Sequence, residues 1–98
     1  MCGAPDQATL PSLDVSQNEA VIHGTVVRAG LPVPGAYVRL LGEAGEFTAE
    51  VQTSATGYFR FYAADGDWTL RTLTPGASED TAVTAAKGAA AEVLVELP

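Results

Sequence analysis

Short segments that alternate between apolar and polar residues recur along this chain, and they constrain its fold more than any other feature. In 58–63 (YFRFYA) the two phenylalanines fall on one face of a strand, whereas Arg60 and two tyrosines fall on the other. Similar β-type segments are 19–28, 36–42, 46–53, 68–74, 80–87 and 91–97. Turn signals rich in Gly, Pro and Asp separate them about every 8 to 12 residues. The sequence therefore predicts an all-β fold, a seven-stranded antiparallel β-sandwich.

One stretch also has some helical character. The alanine-rich segment 85–93 (AAKGAAAEV) favours a helix by composition, but Gly88 interrupts it and the run is too short for a stable isolated helix. We expect instead a loop over 75–79 and a last hairpin that pairs 80–87 with 91–97.

The domain organisation follows from the chain length and from the positions of the prolines. A chain of 98 residues supports one hydrophobic core, since smaller units rarely bury enough surface alone. Residues 1–18 contain two prolines and no sustained period, which predicts an extended N-terminal arm. The sandwich domain is expected over 19–98.

The composition indicates a compartment and excludes some partners. The N-terminus lacks the pattern of a signal peptide, no apolar run approaches the roughly 20 residues of a membrane span, and a lone cysteine forms no internal disulfide. We therefore expect a cytoplasmic protein. The formal net charge of −7 disfavours nucleic acid and anionic membranes as partners. The basic residues are Arg28, Arg39, Arg60, Arg71 and Lys87.

The motifs resemble known domains at two levels. "VIHGTVVRAGLPVPGAYVRLL" and "ATGYFRFYAADGDWTLRTL" resemble the carboxypeptidase-regulatory-like domain with its transthyretin-like (prealbumin-like) sandwich, over about 20–97. Over the whole chain, "MCGAPDQ", "RLLGEAGEFTAEV" and "SATGYFRFYAADGDWTLR" resemble small actinobacterial proteins labelled SseC or sulfur-metabolism-associated, a domain family of unknown function. Genes of that family tend to lie beside a thiosulfate sulfurtransferase. The resemblance thus implies a role near sulfur transfer, whereas the fold alone implies no function.

The transthyretin-like arrangement also implies which strands are neighbours. It predicts one sheet in the order 46–53, 36–42, 58–63, 68–74. The side chains expected inside are Val38, Leu40, Val51, Phe59, Phe61, Trp68 and Leu70. The side chains expected together on the outer face are Tyr37, Arg39, Tyr58, Arg60, Tyr62 and Arg71.

This predicted arginine and tyrosine face is the first candidate site. Arginine offers a planar fork for carboxylates or oxyanions, and tyrosine adds hydrogen bonds and cation–π contacts, which suits an acidic protein partner or a thiosulfate-like anion. A convex sheet face lacks the concavity of small-ligand sites, which favours the protein partner. The alternative is a solvated face whose arginines pair with Glu50 and stack on tyrosines.

Cys2 is the second candidate. Removal of Met1 would leave its thiol beside a free α-amino group, and the nearby positive charge would favour the nucleophilic thiolate, as acceptance of a persulfide sulfur requires. The alternative is a terminal residue with no chemical role. The opening "MCG" also resembles N-terminal-nucleophile glutamine amidotransferases, but those domains are much longer α/β structures, and we reject that interpretation.

Metal, cofactor and enzyme signals are weak. His23 is the only histidine, and with one cysteine it forms no closed zinc site, so we expect a partly buried or surface residue. The "DGD" at 65–67 resembles the start of a calcium loop, but no ligand spacing follows, which predicts a turn. No carboxylate pair, P-loop, dinucleotide or nucleophile-elbow motif is present. We therefore expect no metal, no cofactor and no enzymatic activity.

Three hypotheses follow. The first is a non-catalytic accessory that binds a protein partner, such as a thiosulfate sulfurtransferase, through the arginine and tyrosine face and the arm. The second is a sulfur carrier that uses Cys2. The third is a structural module that forms homo-oligomers through the edge strands of its sheets.

Overall fold

The computed structural model describes residues 19–98. This part of the chain contains eight β-strands joined by turns and short loops. They are β1 (Ala20–Arg28), β2 (Leu31–Pro32), β3 (Tyr37–Leu41), β4 (Phe47–Gln52), β5 (Tyr58–Ala63), β6 (Gly66–Thr74), β7 (Ala77–Ala85) and β8 (Ala90–Leu97). The predicted all-β sandwich is confirmed. The additional strand is β2, which occupies two residues of the predicted Gly/Pro loop and pairs with the end of β1.

The strands form two sheets. In the β1 sheet, β1 pairs antiparallel with β2 and β5 and parallel with β8. In the β3 sheet, the order is β4-β3-β6-β7, and every pair is antiparallel. Within residues 19–98 no helix is long and apolar enough to cross a membrane.

The interior lies between the two sheets and follows the predicted alternation. Of the seven side chains expected inside, Val51 and Trp68 are partly buried against the core. The fully buried ones are Val38, Leu40, Phe59, Phe61 and Leu70. The period of two thus predicted correctly which side chains of each strand face inward.

The predicted neighbours of β5 were wrong. This strand does not lie between β3 and β6; it pairs with β1, from Ala20 opposite Ala63 to Thr25 opposite Tyr58. The "ADGD" segment resembles a hairpin turn in sequence, but here it carries the chain from one sheet to the other. The Asp65 carboxylate accepts a hydrogen bond of 2.6 Å from the Lys87 amide, and Gly66 has a φ of 136°, which side chains rarely tolerate.

The predicted last hairpin was also wrong. β7 pairs with β6 through a tight Pro75–Gly76 turn, so it begins inside the predicted 75–79 loop, whereas β8 joins the β1 sheet. The Gly88 amide donates to the Glu19 carbonyl at 2.7 Å, which holds the turn after β7 beside the start of β1. The alanine-rich segment is therefore a turn and a strand, as expected, but it joins two sheets.

Candidate protein-binding faces

The six residues predicted to share one face lie on opposite sides of the sandwich. Because β5 belongs to the β1 sheet, its three outward residues are separated from those of β3 and β6 by the whole core. The outer surface of the β1 sheet, here the β1 face, carries His23, Tyr58, Arg60, Tyr62 and Glu92. The outer surface of the β3 sheet, here the β3 face, carries Tyr37, Arg39, Glu50, Arg71 and Asp80.

On the β3 face, four charged residues form a row across all four strands. Arg39 lies opposite Glu50 on one side and opposite Arg71 on the other, and Arg71 lies opposite Asp80. Arg39 Nε donates to Glu50 Oε2 at 2.7 Å. Arg71 binds Asp80 with two hydrogen bonds, of 2.9 and 3.1 Å. Arg39 and Arg71 are direct cross-strand neighbours and repel each other. Each is therefore neutralised by a carboxylate on the adjacent edge strand.

The carboxylate at the end of this row has a perturbed pKa. Hydrogen bonds from Arg71 hold the pKa of Asp80 below its ordinary value of 3.8, and the charge of Arg71 acts in the same direction. The Arg39–Glu50 ion pair is the pairing considered in the alternative to a binding site. On this face the arginines thus resemble those of an ordinary solvent-exposed sheet.

On the β1 face, Arg60 has a different environment. Its guanidinium carbon lies 5.6 Å from the centre of the Tyr62 ring, a cation–π distance. Among the described residues, no carboxylate comes within salt-bridge distance of Arg60, unlike Arg39 and Arg71. Its cross-strand neighbour is His23, which separates it from Glu92 on the far side of β1.

Tyr58 and His23 form the other half of this face. The Tyr58 hydroxyl lies 3.2 Å from His23 Nδ1, and the rings meet edge to face with centroids 5.9 Å apart. Partial burial raises the pKa of Tyr58 above its ordinary value of 10.0, while the charge of Arg60 opposes the change. The phenol thus stays neutral near pH 7 and remains able to donate a hydrogen bond. Sequence reasoning placed His23 on the surface or partly buried, which is correct, but did not connect it with Tyr58, because this contact depends on the pairing of β1 with β5.

The residues considered for metals have other contacts. Asp65 holds the Lys87 amide, and Asp67 accepts a hydrogen bond of 2.8 Å from the Thr84 hydroxyl. In the described range, no three His, Cys, Asp or Glu side chains are grouped so that they could hold a metal ion. Cys2, the predicted sulfur acceptor, lies outside the described residues, as does the predicted arm.

Solved structures with similar folds support the β-sandwich assignment. GBS52, the minor pilin of Streptococcus agalactiae, aligns with 84% of this chain and 45% of its own at 18% identity and a TM-score of 0.69. A DUF3823 family protein from Parabacteroides merdae aligns with 86% of this chain and 47% of its own at 19% identity and a TM-score of 0.63. The chain thus spans less than half of each structure, and these likenesses show the fold alone.

Sequence relatives identify the family. An uncharacterized protein of Mycobacterium tuberculosis, Rv0814c, is 52% identical over 85 residues, which is 85% of this chain and 85% of the relative. Residues 2–97 match the family described as "Protein of unknown function (DUF1416)". The chain therefore belongs to the DUF1416 family, whose relatives include uncharacterized mycobacterial proteins.

Proposed function

We propose that this protein is a non-catalytic binding module whose β1 face receives an acidic surface of a partner protein. The observation that carries the proposal is the contrast between Arg60 and the two arginines of the β3 face. Arg39 and Arg71 each bind a carboxylate of their own sheet, whereas Arg60 is placed over Tyr62 without a carboxylate partner in residues 19–98.

The chemistry of the β1 face supports this role. The guanidinium of Arg60 can donate two hydrogen bonds to a carboxylate without first breaking an internal ion pair. The exposed Tyr62 ring adds apolar area beside it, and the Tyr58 hydroxyl, which is hydrogen-bonded to His23 Nδ1, adds a polar group. Arginine and tyrosine are the residue types that most often dominate binding energy at protein interfaces.

The partner class follows from the sequence resemblance. Genes of the SseC-type proteins that this chain resembles tend to lie beside a thiosulfate sulfurtransferase gene, and we propose such an enzyme as the partner. In this account the protein is an accessory in sulfur metabolism, and it supplies a docking surface while the enzyme performs the sulfur transfer.

A matched pair of charge reversals tests the proposal. Arg60→Glu and Arg39→Glu change the net charge equally, but only the first lies on the β1 face. In isothermal titration with a thiosulfate sulfurtransferase from the same organism, we expect Arg60→Glu to weaken binding by about tenfold or more, because a charged hydrogen bond is lost and a repulsive carboxylate is introduced. Arg39→Glu should stay within about twofold. Equal losses, or no binding by the wild-type protein, would contradict the proposal.

A second candidate function is sulfur carriage by Cys2. The family match covers residues 2–97, and this range includes Cys2. The Cys2 thiolate would attack the outer sulfur of an enzyme persulfide, form a new S–S bond and release the enzyme cysteine as a thiolate. Intact-mass spectrometry after incubation with the loaded sulfurtransferase tests this step. A gain of one sulfur mass that is absent in Cys2→Ser supports the carrier, whereas an unchanged mass excludes it.

A further inference from the structure

We propose that the outer edge of β5, which no strand within residues 19–98 pairs with, takes an additional β-strand supplied by an extended acidic segment of the partner protein. This inference rests on the proposed function and deepens it, because it specifies how the partner would bind at the β1 face. The side chain of Arg60 would select the charge of the segment, and the main chain of β5 would bind its backbone.

The direction of the backbone groups follows from the pairing of β5 with β1. The Val26 amide donates to the Gly57 carbonyl at 2.8 Å, so Gly57 directs its polar groups toward β1. Residues two apart in an antiparallel strand share this direction, and Phe59 and Phe61 therefore also bond to β1. The amides and carbonyls of Arg60 and Tyr62 must point to the opposite, outer edge.

Only the first position of this outer edge is covered by a neighbouring residue in the described part of the chain. The Tyr58 carbonyl accepts a hydrogen bond from the Ser54 amide at 2.9 Å, and the Tyr58 amide donates to Ser54 Oγ at 3.2 Å. Beyond it, β5 pairs with β1 alone, and no strand within residues 19–98 pairs with its outer side. Arg60 and Tyr62 thus present donors and acceptors in the spacing that an added strand requires.

A cavity lies beside the same edge. It measures about 260 Å³ and opens between β5 and the edge strand β4 of the other sheet. The lining residues are Val51, Gln52, Ser54, Tyr58, Phe59 and Arg60. Side chains of an added strand would point alternately into this cavity and out beside Arg60 and Tyr62. The cavity would therefore take side chains of moderate size, such as valine, from the added strand.

Charge determines the occupant. Arg60 is the only charged residue of β5. Pairing β5 with β5 of a second copy would bring two arginines close together without any carboxylate on either strand, which is unfavourable. A segment with a carboxylate beside Arg60 would pair with its guanidinium, and its main chain would bond to the outward amides and carbonyls of β5. This favours an acidic partner strand over a second copy.

A synthetic peptide tests the edge directly. The probe is a blocked peptide in which valine alternates with aspartate, and the control is the same peptide with lysine in place of aspartate. With 15N-labelled full-length protein, we expect the aspartate peptide to shift the amide signals of Arg60 and Tyr62 and to slow their hydrogen exchange. The amides of Phe59 and Phe61, already bonded to β1, should change less, and the lysine peptide should have no effect.

Variants separate backbone pairing from side-chain attraction. Tyr62→Pro removes an amide that points outward, whereas Tyr62→Ala removes the same ring and keeps the amide; proline is tolerated at such edge positions. We expect Tyr62→Pro to bind the peptide about fivefold more weakly than Tyr62→Ala. Arg60→Glu should weaken the peptide by about tenfold. Circular dichroism checks that each variant remains folded.

Several results would overturn the inference. One is slow exchange of the Arg60 and Tyr62 amides in the free protein at concentrations where it is monomeric, because the edge would then be occupied by the chain itself. Others are concentration-dependent protection, which would indicate a second copy, and an aspartate peptide that leaves both amides unchanged. If the sulfurtransferase still loses affinity on Arg60→Glu while the peptide does not bind, the proposed function stands and only the edge inference fails.

Discussion

The two outer faces of this sandwich contain similar residues and use them differently. On the β3 face, Arg39 and Arg71 lie side by side, and each is bound by a carboxylate of the adjacent edge strand. On the β1 face, Arg60 is the cross-strand neighbour of His23 and lies over the Tyr62 ring. The difference shows that cross-strand register, more than composition, determines whether an arginine is satisfied within the fold.

From this contrast we expect different roles for the two faces. A row of alternating partners on a solvated sheet contributes a small amount of stability and leaves little unsatisfied charge for a partner. An arginine placed on an aromatic ring keeps its hydrogen-bonding capacity. We therefore expect changes on the β3 face to affect titration and stability slightly, and changes on the β1 face to affect binding.

The largest expected effect is a loss of stability in the core between the two sheets, on which both outer faces depend. Phe59 is buried between them, so Phe59→Ala should lower the free energy of unfolding by about 3–5 kcal/mol. Phe47 is a matched control, because it is 62% exposed and its truncation should cost less than about 1 kcal/mol. Urea unfolding of both variants measures the difference; equal losses would contradict the described core.

Two buried threonines differ in whether their hydroxyl groups have hydrogen-bond partners. The Thr53 hydroxyl accepts from the Ala36 amide at 2.9 Å and donates to the Val33 carbonyl at 2.6 Å. The Thr72 hydroxyl is buried without a partner in the described part of the chain. We expect Thr53→Val to destabilise the fold by about 1–3 kcal/mol, and Thr72→Val to stabilise it by about 1 kcal/mol.

Chemical denaturation of the two variants checks this prediction. Because both substitutions are the same chemical change, their opposite signs would isolate the effect of the hydrogen-bond partners. A Thr72→Val protein that is less stable than the wild type would show that this hydroxyl is satisfied after all.

The smallest expected effect concerns pH and the β3 face. Because Arg71 lowers the pKa of Asp80 in the folded state, this pair stabilises the protein above the pKa of an unfolded aspartate. The contribution is lost as the pH falls through the lower folded value. The effect is small because both side chains are about half exposed.

An NMR titration of the Asp80 carboxyl measures this effect. Its midpoint should lie below 3.8 in the wild type and should rise in Arg71→Gln. Arg39→Gln is the control and should leave the midpoint unchanged, since Arg39 binds Glu50 instead. An Asp80 midpoint that does not respond to Arg71→Gln would show that the ion pair is absent in solution.

The sequence predicted the local features of this fold well. Alternation identified which residues of 58–63 face inward. Turn signals were expected between the strands, and the turn at 54–57 is closed by a hydrogen bond from the Gly57 amide to the Ser54 carbonyl. Such features depend on neighbours in sequence, so a period of two and local turn chemistry are sufficient to predict them.

The sheet assignment was harder to predict. The short link at Asp65–Gly66 has the residues of a hairpin turn, and only the contact of Asp65 with the distant Lys87 amide shows that the chain changes sheets there. The candidate site inherited this error: the predicted face combined Arg60 with Arg39 and Arg71, although β5 lies on the other sheet. Long-range pairing is determined by the whole core and has no local sequence signal.

Following both outer faces in one NMR experiment shows which of them the partner contacts. Unlabelled thiosulfate sulfurtransferase is added to the 15N-labelled protein, and the amide signals of both sheets are followed. We expect the largest shifts at His23, Arg60 and Tyr62, while the signals of Arg39 and Arg71 remain nearly unchanged. Shifts concentrated on the β3 face, or none on either, would contradict this expectation.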